Sequence, residues 1–179
     1  ESGHHGSMPI IPDTKDWTWV LRRPCRQCGF DASTLEQAEV AGLIRANAAR
    51  WPAVLRRADA AVRPSPDVWS AVEYAAHVRD VLRLFRYRVS LMLQSDSPTF
   101  PSWDGDALAV SERYGEQAPT RVAGELQQAA AEYADVLELV PDAAWSRTGH
   151  RGDGTTFTIA SLALYSAHDP MHHLWDVRP

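Results

Sequence analysis

The stretch Tyr165-Ser-Ala-His168-Asp169-Pro170-Met-His172-His173-Leu-Trp175-Asp176 places two imidazoles four residues apart near the end of a helical pattern. One turn of helix separates His168 from His172, so both project from one face and can share a metal ion. His173 does not replace His172 in that pair, because a five-residue step turns it well over 100° away from His168. A third ligand has to come from another segment. Outside this stretch, the one histidine inside a helical pattern is His77, in Trp69-Ser-Ala-Val-Glu73-Tyr74-Ala-Ala-His77-Val-Arg-Asp80. Three histidines with open positions for water make a catalytic type of metal centre. Three buried histidines with ordinary hydrogen bonds would show the same spacing.

Working outward, four helical patterns account for most of the chain. The first begins near Ser33, where Ser33-x-x-Glu36 reads as a capping box, and Pro52 should kink or divide it. The second starts at Ser70 with the box Ser70-x-x-Glu73 and runs to about Gln94, with His77 on its apolar stripe. Residues 95–118 form a long connection containing a short helix near residues 107–114. Connections of this length inside compact domains are often functional. The third helix opens at Pro119 and stops before Pro141. A polar loop over residues 142–156 leads to the fourth, from about Thr158 to Asp176. No alternating strand pattern is present, so the reading is all-α, a four-helix bundle. The long connection lets the second and third helices run parallel, and antiparallel packing of the second and fourth brings His77, His168 and His172 to one end of the bundle.

The chain of 179 residues, 45% hydrophobic, is long enough for one substantial core. Residues 1–7, including His4 and His5, read as an expression-tag remnant and are set aside. Residues 8–32 form an irregular extension expected to lie on the domain through Trp17 and Trp19, and residues 33–179 form the bundle. A net charge of −5 without a basic stripe argues against nucleic acid as a partner. The absence of a long apolar run or signal-like segment argues against the membrane and sets a cytoplasmic expectation.

Two cysteines cannot staple a domain of this size, and Cys25-Arg-Gln-Cys28-Gly29 resembles half of a zinc knuckle. A closed zinc site there needs further ligands, from His150, a carboxylate or another subunit. Ordinary reduced thiols and a redox pair are the competing readings. Glu73, Asp80, Asp169 and Asp176 are candidates to orient the ligand imidazoles. His150, Arg151, Trp103, Tyr114 and Trp175 are candidates to line a pocket.

Trp69-Ser-x-x-Glu73-Tyr74-x-x-His77 together with His168-Asp-Pro-x-His172-His173 resembles the DinB-like (DinB/YfiT) superfamily over nearly all of residues 33–176. The resemblance implies an up-down-down-up bundle, frequent homodimers, and a divalent metal, zinc or nickel, on His77, His168 and His172. It also implies a small-molecule substrate. Relatives include transferases that activate a low-molecular-weight thiol of the mycothiol or bacillithiol type, and metal-dependent hydrolases. A non-catalytic metal-binding stress protein is the remaining class. The Cys-x-x-Cys extension and Pro170 depart from the common pattern. Three neutral imidazoles leave the ion its full charge and favour an anionic thiolate, so thiol transfer to an electrophile is the first expectation and hydrolysis the alternative.

Overall fold

A computed structural model describes residues 10–13 and 15–179; the expected tag remnant lies outside the described residues. The first helical pattern is divided at Pro52 into α1 (Val40–Ala48) and α2 (Trp51–Leu55), with the proline in the first turn of α2. The helix does not begin at Ser33. Asp31 captures the Ser33 amide in a short 3-10 turn, and the working capping box is Glu36 with Glu39, just ahead of α1.

Helix α3 (Ala71–Gln94) carries the reciprocal Ser70/Glu73 capping box expected of it. Helix α4 (Gly105–Ser111) interrupts the long connection, α5 (Pro119–Glu138) begins at its proline, and α6 (Ile159–Asp176) is capped by Thr158. The polar loop departs from the sequence reading. It holds two antiparallel strands, β1 (Thr148–His150) and β2 (Thr156–Thr158), each too short for alternation to register in the sequence.

Side-chain partners give the helix directions. Arg79 meets Glu125 and Arg86 meets Glu132, both 46 residues apart, so partners advance together and α3 and α5 are parallel. His77 meets His173 while Phe85 meets Tyr165, so partners retreat and α3 and α6 are antiparallel. The arrangement is the up-down-down-up bundle. Its core is filled by Trp51, Leu126, Tyr133, Ile159 and Leu162, all fully buried. Helix α6 passes through Pro170 unbroken, and the Pro170 carbonyl accepts from Asn47 Nδ2 at 3.0 Å. Among the described residues, no helix is long and apolar enough to cross a membrane.

Candidate metal centre

Helix α6 presents two interleaved pairs with the same four-residue spacing, His168/His172 and Asp169/His173. A step of one residue turns the second pair about 100° from the first. The two pairs therefore face different neighbours, and the three histidines expected to share one ion are divided between two clusters. His77, Asp169 and His173 form one, while Cys25, Cys28, His168 and His172 form the other; within each, ligand atoms lie within 4.8 Å of one another.

In the first cluster, Asp169 Oδ2 lies 3.4 Å from His77 Nε2 and 3.6 Å from His173 Nε2. These distances are long for hydrogen bonds. They approach the separation of about 3.4 Å between two donors bound tetrahedrally to one zinc at about 2.0–2.1 Å. His77 Nδ1 and Asp169 Oδ1 are buried without a hydrogen-bond partner. Buried polar atoms are rarely left so. On the far side of the His173 ring, Nδ1 lies 2.8 Å from Asp176 Oδ2. A divalent ion suits this set. Burial alone would raise the Asp169 carboxyl, but His173 and His77 hold it far below the usual carboxylate range. Burial alone would lower His173, but Asp169 and Asp176 raise it to about 10. The two carboxylates thus hold a proton on the His173 ring, which an incoming ion displaces.

The cluster opens on a cavity of about 700 Å³ walled by Trp17, Trp69, Tyr74, Trp103 and Tyr165. That volume lies within the range of small-molecule sites. Gly105 in the cavity lining leaves no room for a side chain, because a Cβ there would sit 2.6 Å from the Trp103 ring and 3.3 Å from His77 Cε1. Asp106 lines the same cavity, and burial raises its carboxyl above the usual value. Arg88 lines it too. This residue is only 7% exposed, its Nε has no hydrogen-bond partner, and its guanidinium lies over the Phe85 and Phe100 rings.

The other sequence candidates separate cleanly. Asp176 orients an imidazole, as expected, but the one on His173. Glu73 is bound to Arg63 and the Ser70 amide, and Asp80 to Arg79, Arg83 and Tyr114, so both serve the scaffold. Asp169, a candidate for orienting the ligand imidazoles, and His173, set apart from the His168/His172 pair, both belong to a donor cluster in the structure. Their signal was the Asp-x-x-x-His spacing, identical to that of His168 and His172. His150 is held by Ser97 and Thr156 and is not near the cysteines' cluster. Trp103 and Arg151 line the cavity, whereas Tyr114 is buried and Trp175 packs on His172.

In the second cluster, Cys25 Sγ lies 3.6 Å from His172 Nδ1, and His168 Nε2 is buried without a partner. Trp17 packs on both imidazoles, with ring centroids 5.4 Å away in each case. Burial, with His172 alongside, holds His168 down at about 4. Burial, with Cys25 alongside, pushes the Cys28 thiol up to about 11, which disfavours a reactive redox thiolate.

Residues 43–177 match the sequence profile of the DinB superfamily. Comparison with curated proteins gives no match. Among solved structures, the chain is similar to YfiT from Bacillus subtilis, described as "a probable metal-dependent hydrolase with an unusual four-helix bundle topology". The identity is 16%, the TM-score 0.66, and the match covers 87% of this chain and 89% of that one.

Proposed function

Since the chain belongs to the DinB superfamily, we propose that it is a metal-dependent hydrolase whose divalent ion is held by His77, Asp169 and His173. The observation that carries this reading is the convergence of the three side chains, two with unpartnered buried atoms, on a cavity of about 700 Å³. Two imidazoles and one carboxylate form a donor set used by hydrolytic zinc sites. The description of YfiT as a probable metal-dependent hydrolase supports the same reading.

A bound divalent ion, zinc or nickel, supplies Lewis acidity and lowers the pKa of water. The chain's own residues do the rest. Asp176 fixes the His173 ring so that Nε2 faces the cluster. Asp106, its carboxyl raised by burial, accepts a proton at a carboxylate oxygen and returns it to the leaving group. Arg88 offers its guanidinium to an anionic group on the substrate. The aromatic walls displace water from the apolar part of the substrate.

Thiol transfer was favoured by an all-imidazole centre. With a carboxylate in the set, the ion retains less positive charge, and that electrostatic preference weakens. The deciding experiment screens zinc- and nickel-loaded protein against esters, amides and phosphoesters, in parallel with mycothiol, bacillithiol, glutathione and coenzyme A. Turnover abolished by chelation and by His77→Ala is the expected result. Tight thiol binding with no hydrolysis would move the assignment to thiol transfer.

A further inference from the structure

The Cys-x-x-Cys turn and the second histidine pair of α6 meet although they lie at opposite ends of the sequence. Cys25 and His172 are 147 positions apart, yet their ligand atoms are 3.6 Å from each other. In a tetrahedral zinc site with Zn–S of about 2.3 Å and Zn–N of about 2.0–2.1 Å, a sulfur and a nitrogen lie about 3.6 Å apart. The turn is built for this. The Gly29 amide donates to the Cys25 carbonyl at 2.9 Å, the Cys25 amide donates to the Phe30 carbonyl at 2.8 Å, and Gly29 adopts φ +77°. That backbone geometry favours glycine, and both sulfurs fall in one donor cluster with His168 and His172.

We propose that Cys25, Cys28, His168 and His172 form a closed Cys2His2 zinc site, separate from the pocket cluster, that fastens the N-terminal extension to α6. All four ligand positions are filled by protein, which is the pattern of a structural rather than a catalytic zinc. The unpartnered His168 Nε2 and the close Cys25 and His172 are the independent signs that a ligand belongs there. Binding forms two Zn–S and two Zn–N bonds and releases the two thiol protons to solvent, with no change of oxidation state. The consequence reaches the pocket. Trp17, Ile10 and Asp13 of the extension line the cavity, and Trp17 rests on both zinc-binding imidazoles. The zinc therefore holds one wall of the pocket in place.

The test uses the full chain, kept reduced and loaded with zinc. Wild type is expected to retain two equivalents, His77→Ala one, and Cys25→Ser one. Zinc X-ray absorption on His77→Ala, which keeps all four Cys2His2 ligands, should show two sulfur and two nitrogen neighbours. In the same variant loaded with cobalt, a thiolate-to-cobalt charge-transfer band should appear, and adding His168→Ala should lower the cobalt affinity and shift the ligand-field bands. Sulfur-free coordination in His77→Ala, or cobalt affinity and ligand-field bands unchanged by His168→Ala, would overturn the proposal. Because His77→Ala keeps the cysteines and both α6 histidines, misfolding of a cysteine variant leaves the test intact. Hydrolysis that survives His77→Ala with the sulfur signal retained would count against the pocket reading alone.

Discussion

His173 Nδ1 and Asp176 Oδ2 lie 2.8 Å apart, and the other nitrogen of the same ring faces Asp169 Oδ2 at 3.6 Å. One ring thus joins an orienting carboxylate to a donor carboxylate. When the imidazole is neutral with its proton on Nδ1, the lone pair of Nε2 points into the cluster. Asp176→Asn keeps the shape but weakens this orientation, and metal affinity at the pocket cluster should fall by about 10–100-fold. Competition titration against a chromophoric chelator measures it; unchanged affinity would show that Asp176 does not support the ligand.

Asp106 is assigned to proton transfer and not to metal binding. Asp106→Asn should leave the metal content at its wild-type level and lower kcat by about 100-fold or more, in the range of general acid–base contributions. Steady-state kinetics with metal analysis on the same samples checks both halves. A loss of metal parallel to the loss of rate would remove Asp106 from that role.

Arg88 carries a buried cation with no carboxylate partner among the described residues, and burial lowers its pKa. Such a group costs stability unless an anion pairs with it. Arg88→Met should therefore stabilise the fold by about 1–3 kcal/mol, a rise of about 2–4 °C in Tm per kcal/mol. The same change should raise KM for an anionic substrate by about 10–100-fold, the size of a charge-assisted hydrogen bond. Thermal unfolding and substrate kinetics together test the trade; a destabilised variant with unchanged KM would refute it.

Asp80 sits at the centre of a polar network, accepting from Arg79, Arg83 and the Tyr114 hydroxyl. Burial alone would raise its carboxyl, but Arg79 and Tyr114 hold it below the usual value. A depressed folded pKa means that the carboxylate contributes stability fully above the unfolded value of about 4 and loses it as pH falls through the folded value. Tyr114→Phe removes one donor. It should cost about 1.5–3 kcal/mol near neutrality, with the loss shrinking below about pH 4. Urea denaturation across pH 3–7 measures the slope, and a pH-independent cost would contradict the account.

Much of the bundle is legible in the sequence because its signals are local. Ser70 with Glu73, Pro52, Pro119 and the stripe through Tyr74, Val78, Val81 and Phe85 each act within a turn or two. The short strands escaped because three residues cannot show a period. Ser33 misled because Asp31, two positions upstream, competes for its amide. The end of the bundle where His77, His168 and His172 gather also followed from helix directions. Their pairing did not. Whether α6 offers His168 or Asp169 to α3 depends on the rotation of a helix about its own axis, a tertiary quantity that spacing leaves undetermined. The partnership of Cys25 and Cys28 with α6 spans nearly the whole chain and has no local signature.

That span bears on the order in which the molecule assembles. Joining positions 25 and 172 in a flexible chain has an entropic cost of about 4 kcal/mol from loop length alone. The contact becomes favourable once α3, α5 and α6 have already brought its two ends close, so the extension docks after the helices have folded. The reverse step needs no helix to melt. Release of the Cys25 turn and Trp17 from α6 is a local opening of the kind that amide exchange detects well below the global unfolding free energy. The last part of the chain to settle is thus also one wall of the cavity.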